Sequence, residues 1–207
     1  YDESIKAYDK LLSLYPDNTT ALMEMGSVYY QSGNYETSVQ QSKAAIAKLN
    51  KGEDLTLTKY NLSTVLYDMK KYEEALQYAW QAYDERDFLN NDKSKSNIVY
   101  NYALILGQLN KTAEAVQLYK ETLKLNNTHI KAKINLSTLY MNQDNQEIDK
   151  ALELLLEANK SEKNNFEVNN NLGTAYLMKK DYENAVMYYK NAFDIEPKDI
   201  NVKNNLG

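Results

Sequence analysis

Apolar residues recur along this chain at i, i+3, i+4 and i+7, the spacing that lays a buried stripe along an α-helix. Leu136, Leu139 and Tyr140 form one such stripe, and Ala185, Val186, Tyr189, Ala192 and Phe193 form another. Short polar turns separate the striped segments, as at Ser32-Gly33-Asn34 and Lys179-Lys180-Asp181. Longer breaks at Pro16-Asp17-Asn18 and Pro197-Lys198-Asp199 stop one helix and offer caps to the next. The pattern predicts helix, turn, helix, many times over.

The pairs repeat. One block reads Asn171-Leu-Gly-Thr-Ala-Tyr176, with counterparts beginning at Glu24, Asn61, Asn101 and Asn135 and a further start at Asn205. A second block, exemplified by Tyr182-Glu-Asn-Ala185, ends in a small residue at positions 4, 38, 75, 115, 151 and 185. The spacing between these is near 34, longer where residues are inserted. Small residues at Gly26, Ser63, Ala103, Ser137 and Gly173 let a neighbouring helix come close.

These motifs resemble the tetratricopeptide repeat (TPR) family, whose Leu-Gly-x-x-Tyr, Ala-x-x-x-aromatic and Pro elements are met by Leu172-Gly173-x-x-Tyr176, Ala185-x-x-x-Tyr189 and Pro197. The resemblance covers the whole chain. It implies an all-α fold, a right-handed α-solenoid of antiparallel helix pairs. The expected division is a half-repeat at 1–18, repeats at 19–55, 56–95, 96–129, 130–165 and 166–199, and a partial first helix at 200–207. The family's Trp is missing, with Leu22, Lys59, Val99, Lys133 and Asn169 at its position. Insertions fall near 50–54, 88–97 and 142–147, and the longest, at 88–97, is expected to be the loosest connection. The chain opens inside a second helix and closes inside a first, with no polar capping helix. This predicts a piece of a longer protein and self-association through uncapped ends.

By the same resemblance, first helices line an inner, concave face. Asn61, Asn101, Asn135, Asn171 and Asn205 occupy one register there, with Glu24 as the exception. A carboxamide offers a donor and an acceptor to a peptide backbone, and the row looks like the asparagine ladder of the O-GlcNAc transferase superhelix. Beside it run Tyr60 and Tyr100, then Thr64, Thr138 and Thr174, then Tyr30 and Tyr67, with Met23, Ser27, Leu104, Ile134, Asn170, Met141 and Leu177 at matching places. Tyr joins large contact area to a polar tip, which suits side-chain recognition. The carboxylate clamp by which related co-chaperones hold acidic Hsp70 and Hsp90 tails is absent. Only Lys131 matches one of its basic sites, so such tails are not expected partners.

Composition narrows the chemistry. Six Gly and two Pro are too few for a turn-rich β-fold, and no Cys means no disulfide, thiolate metal site or Cys nucleophile. No stretch approaches the roughly 18 apolar residues of a membrane span, and with a net charge of −5 no basic run marks a nucleic-acid or membrane surface. The single His129, in a turn, reads as solvated, and Trp80 as a packing residue in a second helix. No phosphate loop, metal cluster or catalytic constellation emerges, so no cofactor and no enzymatic activity are expected. The compartment is left open, with a cytoplasmic setting favoured. The expected function is a protein-interaction scaffold that holds an extended peptide in its groove. Two alternatives stand beside it: a self-assembling or complex-organising protein that uses its ends and convex face, and the substrate-recognition arm of a larger enzyme.

Overall fold

The computed structural model describes residues 1–142, 147–199 and 205 of the chain. Residues 143–146 of the turn insertion expected at 142–147, and most of the partial helix at 200–207, lie outside the described residues. Among the described residues eleven α-helices follow one another: α1 (Asp2–Leu14), α2 (Thr19–Gln31), α3 (Tyr35–Ile46), α4 (Glu53–Asp68), α5 (Tyr72–Asp84), α6 (Asp92–Gln108), α7 (Thr112–Leu125), α8 (Ile130–Asn142), α9 (Ile148–Ser161), α10 (Phe166–Met178) and α11 (Tyr182–Ile195). A single 3₁₀ turn, Arg86–Phe88, follows α5, and no strand occurs among the described residues. The all-α class and the stacking of helix pairs are those expected. The chain divides into two compact units, Tyr1–Leu118 and Tyr119–Gly207.

Local chemistry sets the helix ends. Asn18, Asn34, Asn91 and Asn165 each accept a hydrogen bond from a backbone N–H in the first turn of the helix they precede, at 2.7–3.2 Å. Asp181 does the same for α11. Each such cap satisfies a donor that the helix leaves unpaired. The tight turns inside the pairs share another device. Two positions before α3, α5, α7 and α11 the backbone turns left-handed, at Gly33, Lys70, Asn110 and Lys180, with φ between 58° and 80°. Part of the asparagine excess is therefore punctuation.

In the first unit each helix from α1 to α5 packs on the next. Leu62, Leu66, Ala75, Ala79 and Ile105 form its fully buried centre. Small residues set the spacing. A Cβ added to Gly26 would meet Ser42 Oγ at 3.0 Å, and the Ser38 hydroxyl donates to the Gly26 carbonyl at 2.7 Å. In the second unit α8 packs on α9, α9 on α10 and α10 on α11. There the ring of Tyr189 occupies the space over Gly173, where a Cβ would come within 2.5 Å of Cδ1. Gly173 thus exists for a neighbouring ring, not for a turn.

Two expectations are corrected by the packing. The insertion at 88–97, expected to be the loosest connection, is for the most part helix and packed turn. Leu89 is 1% exposed and packs with Ala82 and Ile98, Asn91 caps, and α6 starts at Asp92, ahead of the boundary expected at 96. The added residues lengthen a helix because one of them finds a core site and another a capping site. Similarly, α4 starts at Glu53, ahead of the boundary expected at 56. Trp80 is 53% exposed, not packed. Ala75, Ala79 and Ala82 carry the buried stripe of α5, and Trp80 falls beside it.

Candidate functional site

In the first unit α2, α4 and α6 are neighbours, so the expected binding rows lie side by side. Between α2 and α4, with α3 beneath, a cleft of about 290 Å³ opens. It brings together six residues singled out in the sequence, Tyr30, Tyr60, Asn61, Thr64, Met23 and Ser27, with Val65. Its floor is formed by Gly26, Ser38, Ser42 and Thr58, residues that sequence reasoning did not assign to binding. The small positions that allow close helix packing also leave room here. Asn61 is exposed at the rim, and Tyr30, Tyr60 and Thr64 are half-buried.

The tyrosines are held in place. Tyr30 donates its hydroxyl to Asp68 Oδ2 at 2.6 Å, which ties α2 to α4. Burial, and then this bond, push the Tyr30 phenol up to about 12. Its ring lies 5.8 Å from that of Tyr35. Tyr67 repeats the ring pairing one pair later, 5.5 Å from Tyr72, and burial raises its phenol too. Burial raises the Tyr60 phenol as well. Tyr100 is half-buried on α6.

The asparagine row is not uniform. Asn101 is 6% exposed, its amide donates to Thr64 Oγ1 at 3.1 Å, and its carbonyl accepts from Ser63 Oγ at 2.8 Å. Those bonds engage both ends of the carboxamide. Asn61 faces Gly26, which has no hydroxyl, and Ser27, whose hydroxyl donates to the Met23 carbonyl. It remains open at the cleft.

In the second unit α8 neighbours α10. Asn171 donates to Thr138 Oγ1 at 3.4 Å, and Asn135 donates to the Tyr119 hydroxyl at 3.3 Å. Thr174 Oγ1 lies 3.1 Å from the Tyr189 hydroxyl. Asn135, Thr138, Asn171 and Thr174 are half-buried, and Lys131 and Asn205 are exposed.

The position where the family places Trp carries an arrangement the sequence reading did not foresee. Lys59, with a side chain 8% exposed, pairs with Glu85 at 2.8 Å, and Lys133 pairs with Glu157 at 2.6 Å. Asn169 donates to the Lys163 and Asn165 carbonyls at 2.8 and 2.9 Å. Leu22 and Val99 are simply buried. A lysine recurring at a core register was the available signal.

His129 is half-buried rather than solvated. Its Nδ1 accepts from the Ala132 N–H at 3.2 Å, so it caps α8, and burial lowers its imidazole below the ordinary value. Among the described residues, no group of three or more His, Cys, Asp or Glu could hold a metal ion. No described helix is long and apolar enough to cross a membrane.

Family models described as tetratricopeptide repeat match residues 1–53, 54–128 and 166–199. No curated protein matches the chain. Among solved structures, the chain is similar to YrrB, a TPR protein with an unusual peptide-binding site. The TM-score is 0.72 at 16% identity, covering 97% of each chain. It is similar to PilF of Pseudomonas aeruginosa with a TM-score of 0.80 at 18% identity, covering 98% of this chain and 96% of that one. A third likeness, to the APC/C hetero-tetramer Cut9-Hcn1, has a TM-score of 0.79 at 16% identity, covering 99% of this chain and 38% of that one. At such identities the likeness is one of fold.

Proposed function

Since the chain belongs to the tetratricopeptide repeat family, we propose that it is a non-catalytic protein-interaction scaffold that holds an extended peptide segment against its first helices. The observation that carries this reading is the α2–α4 cleft, where Tyr30, Tyr60, Asn61 and Thr64 meet around open space. A cleft of this volume is at the small end of ligand sites. It suits one side chain of a longer segment rather than a whole small molecule. Asn61 stands at the rim with its carboxamide exposed, within reach of the backbone on either side of that side chain. Each such bond contributes about 0.5–1.5 kcal/mol, so affinity builds up over several contacts. The second unit, taken by itself, presents the polar groups of Asn171, Thr138 and Thr174 on α8 and α10, with Lys131 an exposed cation at the start of α8.

A phage-displayed random dodecapeptide library, panned on the full chain, supplies a test ligand. Titration of the selected peptide is then followed by NMR. Shifts centred on Tyr30, Tyr60, Asn61 and Thr64 are expected. Shifts confined to the second helices, or a selection that enriches no peptide, would sink the reading.

A further inference from the structure

The cleft between α2 and α4 has a charge character that the row of asparagines conceals. Helix α2 carries one charged residue, Glu24, and α4 carries Glu53, Asp54, Lys59 and Asp68. The single cation, Lys59, is buried and neutralised by Glu85. No positive charge on these two helices is therefore available to a ligand, whereas Asp68 and Glu24 are exposed. Asp68 adjoins the cleft, because one of its oxygens accepts the hydroxyl of the lining residue Tyr30 at 2.6 Å. Glu24 lies one position from Met23 and one turn before Ser27, both lining residues. Within the cleft, Met23, Tyr60 and Val65 supply the apolar and aromatic part of the lining.

We infer that this cleft selects a peptide segment whose apolar side chain enters between Met23, Tyr60 and Val65 while an adjacent Lys or Arg lies against Asp68 and Glu24. The inference rests on the groove-binding reading and adds to it the chemistry of the partner. Burying the apolar side chain supplies the affinity that any hydrophobic segment would find. The carboxylates discriminate: an acidic segment meets like charge, and a basic one is steered in. Tyr30 is anchored to Asp68 and holds that carboxylate beside the cleft, so the charge is placed before the ligand arrives.

The test uses the full chain and the same random dodecapeptide library. The expected consensus is an aliphatic or aromatic residue with Lys or Arg one or two positions away. A representative synthetic peptide is then titrated by fluorescence anisotropy against three proteins: the parent, the double variant Glu24→Gln/Asp68→Asn, and Ser27→Trp. Asn at position 68 still accepts the Tyr30 hydroxyl, so the double variant retains the α2–α4 tie; circular dichroism verifies the helices. The double variant is expected to weaken binding about three- to tenfold at low salt and to flatten the salt dependence. Ser27→Trp fills the cleft and is expected to abolish binding. If Ser27→Trp abolishes binding while the double variant matches the parent, or if the consensus is acidic or uncharged, groove binding stands and the basic-partner inference falls. If Ser27→Trp binds as the parent does, or no peptide is enriched, both fall.

Discussion

At the scale of the residue, identical letters in one register meet different fates. Asn61 and Asn101 are equivalent by sequence, yet one is exposed and the other bridges two helices. The difference is in the preceding repeat, which presents Gly26 and Ser27 to the first but Ser63 and Thr64 to the second. Asn101→Ala is expected to cost about 0.5–1.5 kcal/mol in urea unfolding, because it removes the bonds between α4 and α6 while the Ser63 and Thr64 hydroxyls keep the Tyr60 carbonyl. Asn61→Ala should leave the unfolding midpoint unchanged and weaken peptide binding. The buried lysine behaves as a pair with its carboxylate. Glu85→Ala should cost about 3–5 kcal/mol, whereas Lys59→Met with Glu85→Gln should be close to neutral, as thermal denaturation would show. For His129, burial makes the folded chain bind a proton less readily than the unfolded chain. Its contribution to stability is thus complete above the ordinary imidazole value of about 6.5 and is lost as pH falls through the lowered folded value. Comparing unfolding midpoints of parent and His129→Asn across that range should show the acid-side loss only in the parent, since Asn keeps an α8 cap.

At the scale of the element, what could be read from the sequence was what is local. The stripe spacing, the Asn caps and the Tyr that opens each of α3, α5 and α11 depend on a few neighbouring residues. Trp80 was misread because period alone does not say how wide the buried stripe of α5 is; three alanines suffice. The 88–97 insertion gave no helical signal because its two apolar residues, Phe88 and Leu89, are adjacent and set no period, yet Leu89 has a core site to fill. The left-handed turn residue is a third local feature, and it is imperfectly filled. Lys70 and Lys180 adopt φ of 60° and 62°, where Gly33 does the same work without a Cβ. Lys70→Gly and Lys180→Gly should each stabilise the fold by about 0.5–1 kcal/mol. A lower urea midpoint for either variant would show that the lysine side chain makes contacts that outweigh the backbone strain.

At the scale of the whole molecule, a chain of stacked pairs has no single centre. Each pair is stabilised mainly by its neighbours, so resistance to unfolding follows local burial. Helix α1 contains no buried residue, whereas α4 and α6 carry Leu62, Leu66 and Ile105 with no measurable exposure. Hydrogen exchange should therefore be fastest in α1 and slowest in α4 and α6; uniform protection across the first unit would contradict this. The fold class was legible because repetition multiplies a weak signal. The cleft was only half legible: its walls were the conspicuous Tyr and Asn residues, but its floor is made of Gly26, Ser38 and Ser42, which in sequence mean only close packing.

The two kinds of buried polar bond have an evolutionary consequence. Lys59–Glu85, Lys133–Glu157 and Asn169 with its own turn are satisfied within one helix pair and the turn that leads into it. A gene segment encoding such a pair could be copied or transplanted with its counter-charge included. Asn101 with Ser63 and Thr64, and Asn171 with Thr138, are satisfied across the junction between pairs. These bonds depend on the order of the pairs, and a shuffled array would lose them first. Duplication can lengthen this protein, but rearrangement of its order has to preserve which pair stands before each asparagine that bonds across a junction.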